Sequence, residues 1–347
     1  MIETADPRDA RPKAWVLTDG KAGDVNPALG VVEALGCEVE FRRVAPRPPW
    51  VWFLPRGPID PREAPERAGS PIAPPWPDLV VACGRRAIAY ARVVKARAGA
   101  RTFVLVLRDP RTVRHGADLL WVAAHDRRRG PDVLVTPTGP HRVSAARLAE
   151  ARRSPPAWLD RLPVPRVAVL LGGGPGLEGL APRLAALAPE AGSFLVTPSR
   201  RSDPAVLEAV RRAVAGRPSL VWDGSEPNPY FDFLAHADAI VVTGDSFNMV
   251  GEALATGRPV LVHQPTGLSR KLERFLAGLR DAGLIRPFEG RLEDYTYAPV
   301  DSTVTVAREV ARRMAEADRG GDGVSESRPV RLTSGAADVT LPPSEKR

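Results

Sequence analysis

Cysteine is nearly absent. Only Cys37 and Cys83 occur in 347 residues, too few for a disulfide framework, and this fits a reducing compartment. Lysine is scarce too: Lys13, Lys21, Lys95, Lys271 and Lys346 are all there are. Aromatic residues make up 6% of the chain, so Ala, Val and Leu must fill the cores. No stretch approaches ~20 consecutive apolar residues, which excludes a spanning helix. The lead-in from Met1 to Lys13 is polar and lacks an apolar h-region, so no secretory signal is expected. There is no HExxH, no CxxC pair and no Gly-x-Ser-x-Gly elbow. A metal and a cofactor are therefore not expected, and the expected compartment is the cytoplasm.

What remains is arginine-rich. Lys+Arg is 49 against Asp+Glu 41, a formal net charge of +8. With so few lysines this charge is almost all guanidinium, a planar donor fork suited to phosphate. The arginines are spread along the chain, and that spread fits GC-rich, bacterial coding. It also leaves room for a phosphate-bearing substrate or an anionic lipid surface. No stacking platform accompanies them, so nucleic-acid binding is not expected. Nothing sets an oligomeric state.

At roughly 150 residues per domain the length predicts two domains. The residue pattern agrees. Ala14-Trp-Val-Leu-Thr18 reads as a buried strand, Asn26 to Leu35 as a helix and Glu38 to Val44 as a second strand. Pro46 to Pro77 is dense in proline and carries Trp50, Trp52, Phe53 and Trp76. It reads as a long loop, either packed on the domain or serving as an apolar lip toward a partner or membrane. Strands follow at 78–82, 102–107, 119–123 and 132–135, with helices at 87–98 and 144–153. A proline-rich linker leads to strands at 166–171, 193–197, 219–222, 239–243 and 259–263, with helices between them. Two such runs predict two Rossmann-like doubly wound parallel-sheet domains, at 14–153 and 164–290, facing across a cleft. A helix at 302–317 is expected to cross back to the first domain, and 319–347 to be a disordered tail.

Parallel sheets bind ligands at the carboxyl ends of their strands, which directs attention to those loops. In the second domain Gly172, Gly173 and Gly174 follow a strand and precede a helix, so phosphate could approach their backbone. Ser199, Arg200 and Arg201 offer a hydroxyl beside two guanidinium forks. Thr243-Gly-Asp-Ser-Phe-Asn-Met-Val-Gly-Glu252 reads strand, turn, helix. Asp245 or Ser246 caps that helix, Asn248 and Met249 open it, and Glu252 lies where a carboxylate could grip a ribose diol. In the first domain Asp19 is the general-base candidate by position. Gly20, Lys21 and Gly23 form a turn beside it. His125 and His141 lie at neighbouring strand ends, His125 as a second catalytic candidate.

Ordered blocks along the chain resemble one known family. They are Trp15-Val-Leu-Thr-Asp-Gly-Lys-Ala-Gly23, Cys83-Gly-Arg-Arg86, Asp109-Pro-Arg111, His125-Asp-Arg127, Thr138-Gly-Pro-His-Arg-Val143, Asn228-Pro-Tyr-Phe231 and Thr256-Gly-Arg-Pro259. Together they are similar to the mitochondrial fission family named for elongated mitochondria in plants. The resemblance implies a fold like the GT-B glycosyltransferases and a nucleotide-diphosphate sugar as ligand in the second domain. Gly84, Arg85, Arg86, Arg111 and His141 would then join Gly20, Lys21 and Gly23 on an acceptor side. Bacterial members of that family are often labelled nucleoside-diphosphate-sugar epimerases, and its plant members act peripherally at a membrane. Three expectations result: a metal-independent glycosyltransferase, a non-catalytic scaffold in peripheral contact with anionic membrane, or an epimerase.

Overall fold

The structure, a computed structural model, describes residues 11–224 and 227–320. The chain divides into two units, Met1–Arg142 with Ser302–Arg347 and Val143–Asp301. The first unit runs β1 (Lys13–Thr18), α1 (Ala22–Ala34), β2 (Glu38–Arg43), α2 (Trp50–Phe53), β3 (Leu79–Ala82), α3 (Arg85–Ala98), β4 (Phe103–Val106), β5 (Leu119–Ala123) and β6 (Val133–Thr136). The second runs α4 (Ala145–Arg153), β7 (Arg166–Leu171), α5 (Leu180–Leu187), β8 (Ser193–Pro198), α6 (Pro204–Val214), β9 (Ser219–Val221), α7 (Tyr230–His236), β10 (Ala239–Thr243), α8 (Phe247–Leu254), β11 (Val260–His263), α9 (Arg270–Asp281) and β12 (Arg286–Pro287). The last helix, α10 (Ser302–Gly320), returns to the first unit.

Each unit is built on one six-stranded sheet, ordered β2-β1-β3-β4-β5-β6 in the first and β12-β11-β10-β7-β8-β9 in the second. All pairings are parallel. The chain thus forms the two Rossmann-like doubly wound sheets read from its sequence. The central strands explain why. Every residue of β3, β4, β5 and β10 is buried, as continuous apolar runs must be when both sheet faces are covered. The edge strand β2, Glu-Val-Glu-Phe-Arg-Arg, has no fully buried residue. Side-chain caps fix several helix starts. Ser144 accepts from Arg147 N, Asp203 from Ala205 N and Ser269 from Leu272 N, and Pro204 opens α6 where no N–H is needed.

The strand order reverses once in each sheet, between β1 and β3 and between β7 and β10. At such a point the two loops leave toward opposite faces and part, which opens a crevice at the carboxyl ends of the strands.

Three features differ from the sequence reading. The first unit ends at Arg142, so α4 belongs to the second. There Leu148 is buried with Phe233 and Leu234, and Arg152 Nε donates to Ala235 O at 2.9 Å. Within the proline-rich stretch the four-residue α2 forms, and Leu54, Ile59 and Ile72 are buried in the first unit's core. Arg47 clamps the buried Asp60 there, through Nε at 2.9 Å and Nη2 at 3.0 Å. Helix α9 and the two-residue β12 lie where no element was expected. The stretch read as a tail is described only as far as residue 320, and its remainder lies outside the described residues.

Candidate functional site

In the second unit the loops after β7, β8 and β10 are tied together at the reversal point. Gly172 N donates to Thr243 Oγ1 at 2.7 Å, and Gly174 N donates to Asp245 Oδ2 at 2.7 Å. Ser202 Oγ donates to Leu171 O and Gly172 O, at 3.0 and 2.6 Å, and Ser199 N donates to Ser202 Oγ at 2.9 Å. The glycines are needed for close approach. A Cβ on Gly172 would lie 2.2 Å from Asp245 Oδ2, and one on Gly173 would lie 2.3 Å from Arg201 Cβ. Gly172, Gly173, Gly174, Ser199, Arg201 and Asp245 therefore share one rim.

Their roles are redistributed. The amides of Gly172 and Gly174 serve Thr243 and Asp245, so these two donors are spent on the protein itself. Of the two expected caps, Ser246 is the one that acts, accepting from Met249 N at 3.4 Å. Met249 packs against the apolar core, and Asn248 is half-buried in the first turn of α8. Arg200 and Arg201 are exposed, and their guanidinium groups form no ion pair among the described residues. The first N–H groups of α8 lack an intrahelical acceptor; Ser246 N donates instead to Thr243 O at 3.5 Å, and Met249 N donates to the Ser246 hydroxyl. The rim thus holds two exposed cations and a helix N-terminus, both attractive to an anion.

Glu252 is buried inside α8, 9% exposed, and accepts the Tyr230 hydroxyl at 2.5 Å. Burial drives its carboxyl up to about 7, against the opposing pull of that hydroxyl. His263, at the end of β11, is also buried, and its Nδ1 lies 3.3 Å from Arg183 Nη1. Burial first, and the Arg183 charge second, bring its pKa down to about 4. Asp245 Oδ1 and His263 Nε2 are buried without a hydrogen-bond partner among the described residues. Tyr230, Ser202 and Arg183 were not singled out from the sequence as site residues. Tyr230 and Ser202 lie in or next to blocks that were noticed; Arg183 carries no local signal.

In the first unit the reversal between β1 and β3 brings Asp19, Gly20, Lys21, Gly84 and Arg86 together. The Asp19 side chain is 3% exposed, with Lys21 Nζ at 2.8 Å and Arg86 Nη1 at 3.8 Å from Oδ2; Oδ1 is buried without a partner among the described residues. Gly84 precedes α3 with φ +96°, and a Cβ there would lie 2.7 Å from Asp24 Oδ2. Asp24, which the sequence reading passed over, is buried and accepts from Cys83 Sγ at 3.6 Å and Arg108 Nη2 at 3.3 Å. Burial raises the Cys83 thiol far above its ordinary range, which leaves it unreactive. Gly23 is exposed in the first turn of α1.

Other first-unit candidates are set apart from this group. Arg85 turns to the proline-rich segment, its Nε donating to Leu54 O at 2.5 Å and its Nη2 to Trp52 O at 3.3 Å. Arg111 adopts φ +53° in the β4 exit loop, and its carbonyl accepts from Arg56 Nη2 at 2.9 Å. His125 is half-buried in the turn after β5. His141 is buried, and both its backbone groups bond to Thr303 Oγ1 of α10 at 2.9 Å. No cluster of three or more His, Cys, Asp or Glu residues that could hold a metal exists among the described residues. Nor is any described helix long and apolar enough to cross a membrane.

Residues 22–314 match the family model described as mitochondrial fission ELM1. The mitochondrial fission protein ELM1 of Arabidopsis thaliana is 29% identical over 277 residues, covering 69% of this chain and 64% of that protein. The chain thus spans slightly less than two thirds of that relative's length. Among solved structures, MurG of Acinetobacter baumannii superposes with a TM-score of 0.47 at 15% identity, over 92% of this chain and 96% of the other. A UDP-GlcNAc 2-epimerase from Neisseria meningitidis, bound to UDP-GlcNAc, gives 0.47 at 12% identity, over 88% and 93%.

Proposed function

The chain belongs to the mitochondrial fission ELM1 family, and from that premise we propose that its second unit binds a nucleotide-diphosphate sugar at the rim where β7 and β10 part. One observation carries the reading: the loops after β7, β8 and β10 are bonded to one another at the reversal point, beside the α8 N-terminus and the exposed Arg200 and Arg201. The diphosphate lies against that helix end and takes the two guanidinium groups; Asn248 lines it, and Glu252 with Tyr230 meets the ribose. A leaving diphosphate gathers charge as the sugar departs, so fixed donors there lower the barrier to transfer.

Calorimetric titration of the full chain with UDP, TDP, GDP and ADP tests the binding step. One of them binds, and the Arg200→Ala/Arg201→Ala double variant binds it roughly ten- to a hundredfold more weakly, as loss of charge-assisted hydrogen bonds requires. Absence of heat from all four with folded protein would sink the reading. Product analysis with a labelled nucleotide sugar then separates transfer from epimerisation.

A different observation favours a second reading, peripheral contact with anionic membrane. Trp52, Phe53 and Val113 are 68, 57 and 85% exposed. Arg56 and Arg92 tie their two loops together, through Arg111 O at 2.9 Å and through Pro55 O and Arg114 O at 3.1 and 3.3 Å. Aromatic rings among arginines suit an interface that is apolar within and anionic outside. The chain should pellet with phosphatidylserine vesicles, and Trp52→Ser/Phe53→Ser should abolish this. Equal pelleting with and without vesicles removes that reading.

A further inference from the structure

Asp245 Oδ1 and His263 Nε2 lie on neighbouring strand ends of the second unit. Thr243 and His263 are register partners in β10 and β11, and Gly244 N donates to His263 O at 2.9 Å. Asp245 follows directly in the chain, at the same end of the sheet. Each atom's chemistry is fixed by the other half of its group. Asp245 Oδ2 already accepts from Gly174 N, which leaves Oδ1 an acceptor in need of a donor. His263 Nδ1 faces Arg183 Nη1 at 3.3 Å. A guanidinium only donates, so Nδ1 accepts and the ring proton sits on Nε2. Burial keeps the ring neutral and so keeps this tautomer. Among the described residues the rim therefore has one unsatisfied buried acceptor and one unsatisfied buried donor, a costly arrangement unless a ligand completes it.

A hydroxyl suits either group, because it donates to a carboxylate and accepts from a ring N–H. An ionised phosphate oxygen has no proton to donate, and its charge is repelled by Asp245. We infer that Asp245 and His263 form the hydroxyl-recognising end of this site and take the sugar of the ligand rather than its phosphates. The inference rests on the second unit binding a nucleotide sugar and adds which end of that ligand lies where. A buried polar pair of this kind discriminates strongly, since a ligand lacking the hydroxyl leaves both groups unmet.

The test compares the tightest of UDP, TDP, GDP and ADP with its glucose and N-acetylglucosamine conjugates, by calorimetry on the full chain. At least one conjugate binds about tenfold or more tightly than the bare diphosphate. His263→Phe, which keeps a ring and removes the donor, brings that ratio to about one and leaves the diphosphate's own affinity within about threefold. His263→Gln, which restores an N–H, recovers much of it. Equal affinity of the wild-type chain for diphosphate and conjugates overturns the inference, as does His263→Phe weakening both by one factor. Silence from all four diphosphates removes the nucleotide reading and this one with it. The His263 ring nitrogens, followed by NMR in the unmodified chain, give a check independent of variant folding. They should report an Nε2–H tautomer that shifts with the conjugate and not with the diphosphate. A ring unmoved by bound conjugate overturns the inference.

Discussion

Glu252 is a carboxyl group inside a helix that touches the core, with one hydroxyl for company. Its pKa moves from an ordinary 4.5 to about 7 because burial penalises the charged form. A folded-state value above the unfolded one means that the native chain holds its proton more tightly. The stability this confers is complete below about pH 4.5 and is lost as the pH rises through 7. The shift corresponds to roughly 3 kcal/mol once the group is fully ionised. Glu252→Gln keeps an acceptor for Tyr230 and removes the titration. Urea unfolding should give matching stabilities for the two chains near pH 4 and a variant more stable by up to about 3 kcal/mol at pH 8. A difference that stays flat from pH 4 to 8 would show that Glu252 is not perturbed. A ligand hydroxyl on the same carboxylate would stabilise its ionised form, so binding should also lower this pKa.

At the scale of elements, the sequence is most explicit where a strand must be apolar throughout. β3, β4, β5, β7 and β10 stand out because both faces of a parallel sheet are covered, and the loops that end them could be named from order alone. The bonds made by those loops could not. Gly172 reads equally well as a phosphate cradle or a tight corner. Only the partner 71 residues away, Thr243 for Gly172 and Asp245 for Gly174, shows that these amides are already engaged. His263 ends a strand that was read as such, but its fixed tautomer comes from Arg183, 80 residues earlier. Helix α9 is different, because its signal was local. Ser269 caps it, and Leu272, Phe275, Leu276 and Leu279 recur at helical spacing along its inner face. Its many charges, from Arg270 to Asp281, mask that stripe. The two-residue β12 carries no pattern at all; it exists because Leu261 and Val262 of β11 offer an edge to pair with.

For the whole molecule, the path of the chain matters more than its length. It leaves the first unit at Arg142 and returns at Ser302, so the second unit is continuous and the first is not. The sequence order alone places α4 with the first unit, because an amphipathic helix does not state which core it covers. Both apolar clusters of the second unit draw on residues from 143 to 300 only, so that unit contains all of its own core. The first unit depends on α10, which buries Val306, Ala307, Val310 and Met314 and is bonded by Ser302 to Thr138 and by Thr303 to His141. Burying a Val or Met side chain contributes roughly 1.5–3 kcal/mol, so losing Val306, Val310 and Met314 alone removes an amount comparable to the lower end of a domain's stability, about 5–15 kcal/mol. A fragment of residues 143–301 should therefore fold alone, with native-like circular dichroism and one cooperative transition. A chain ending at residue 301 should keep that transition and lose the first unit's, with hydrogen exchange rising across β1 and α1. If the fragment is unfolded while the shortened chain melts as the full one does, the division of labour argued here is wrong.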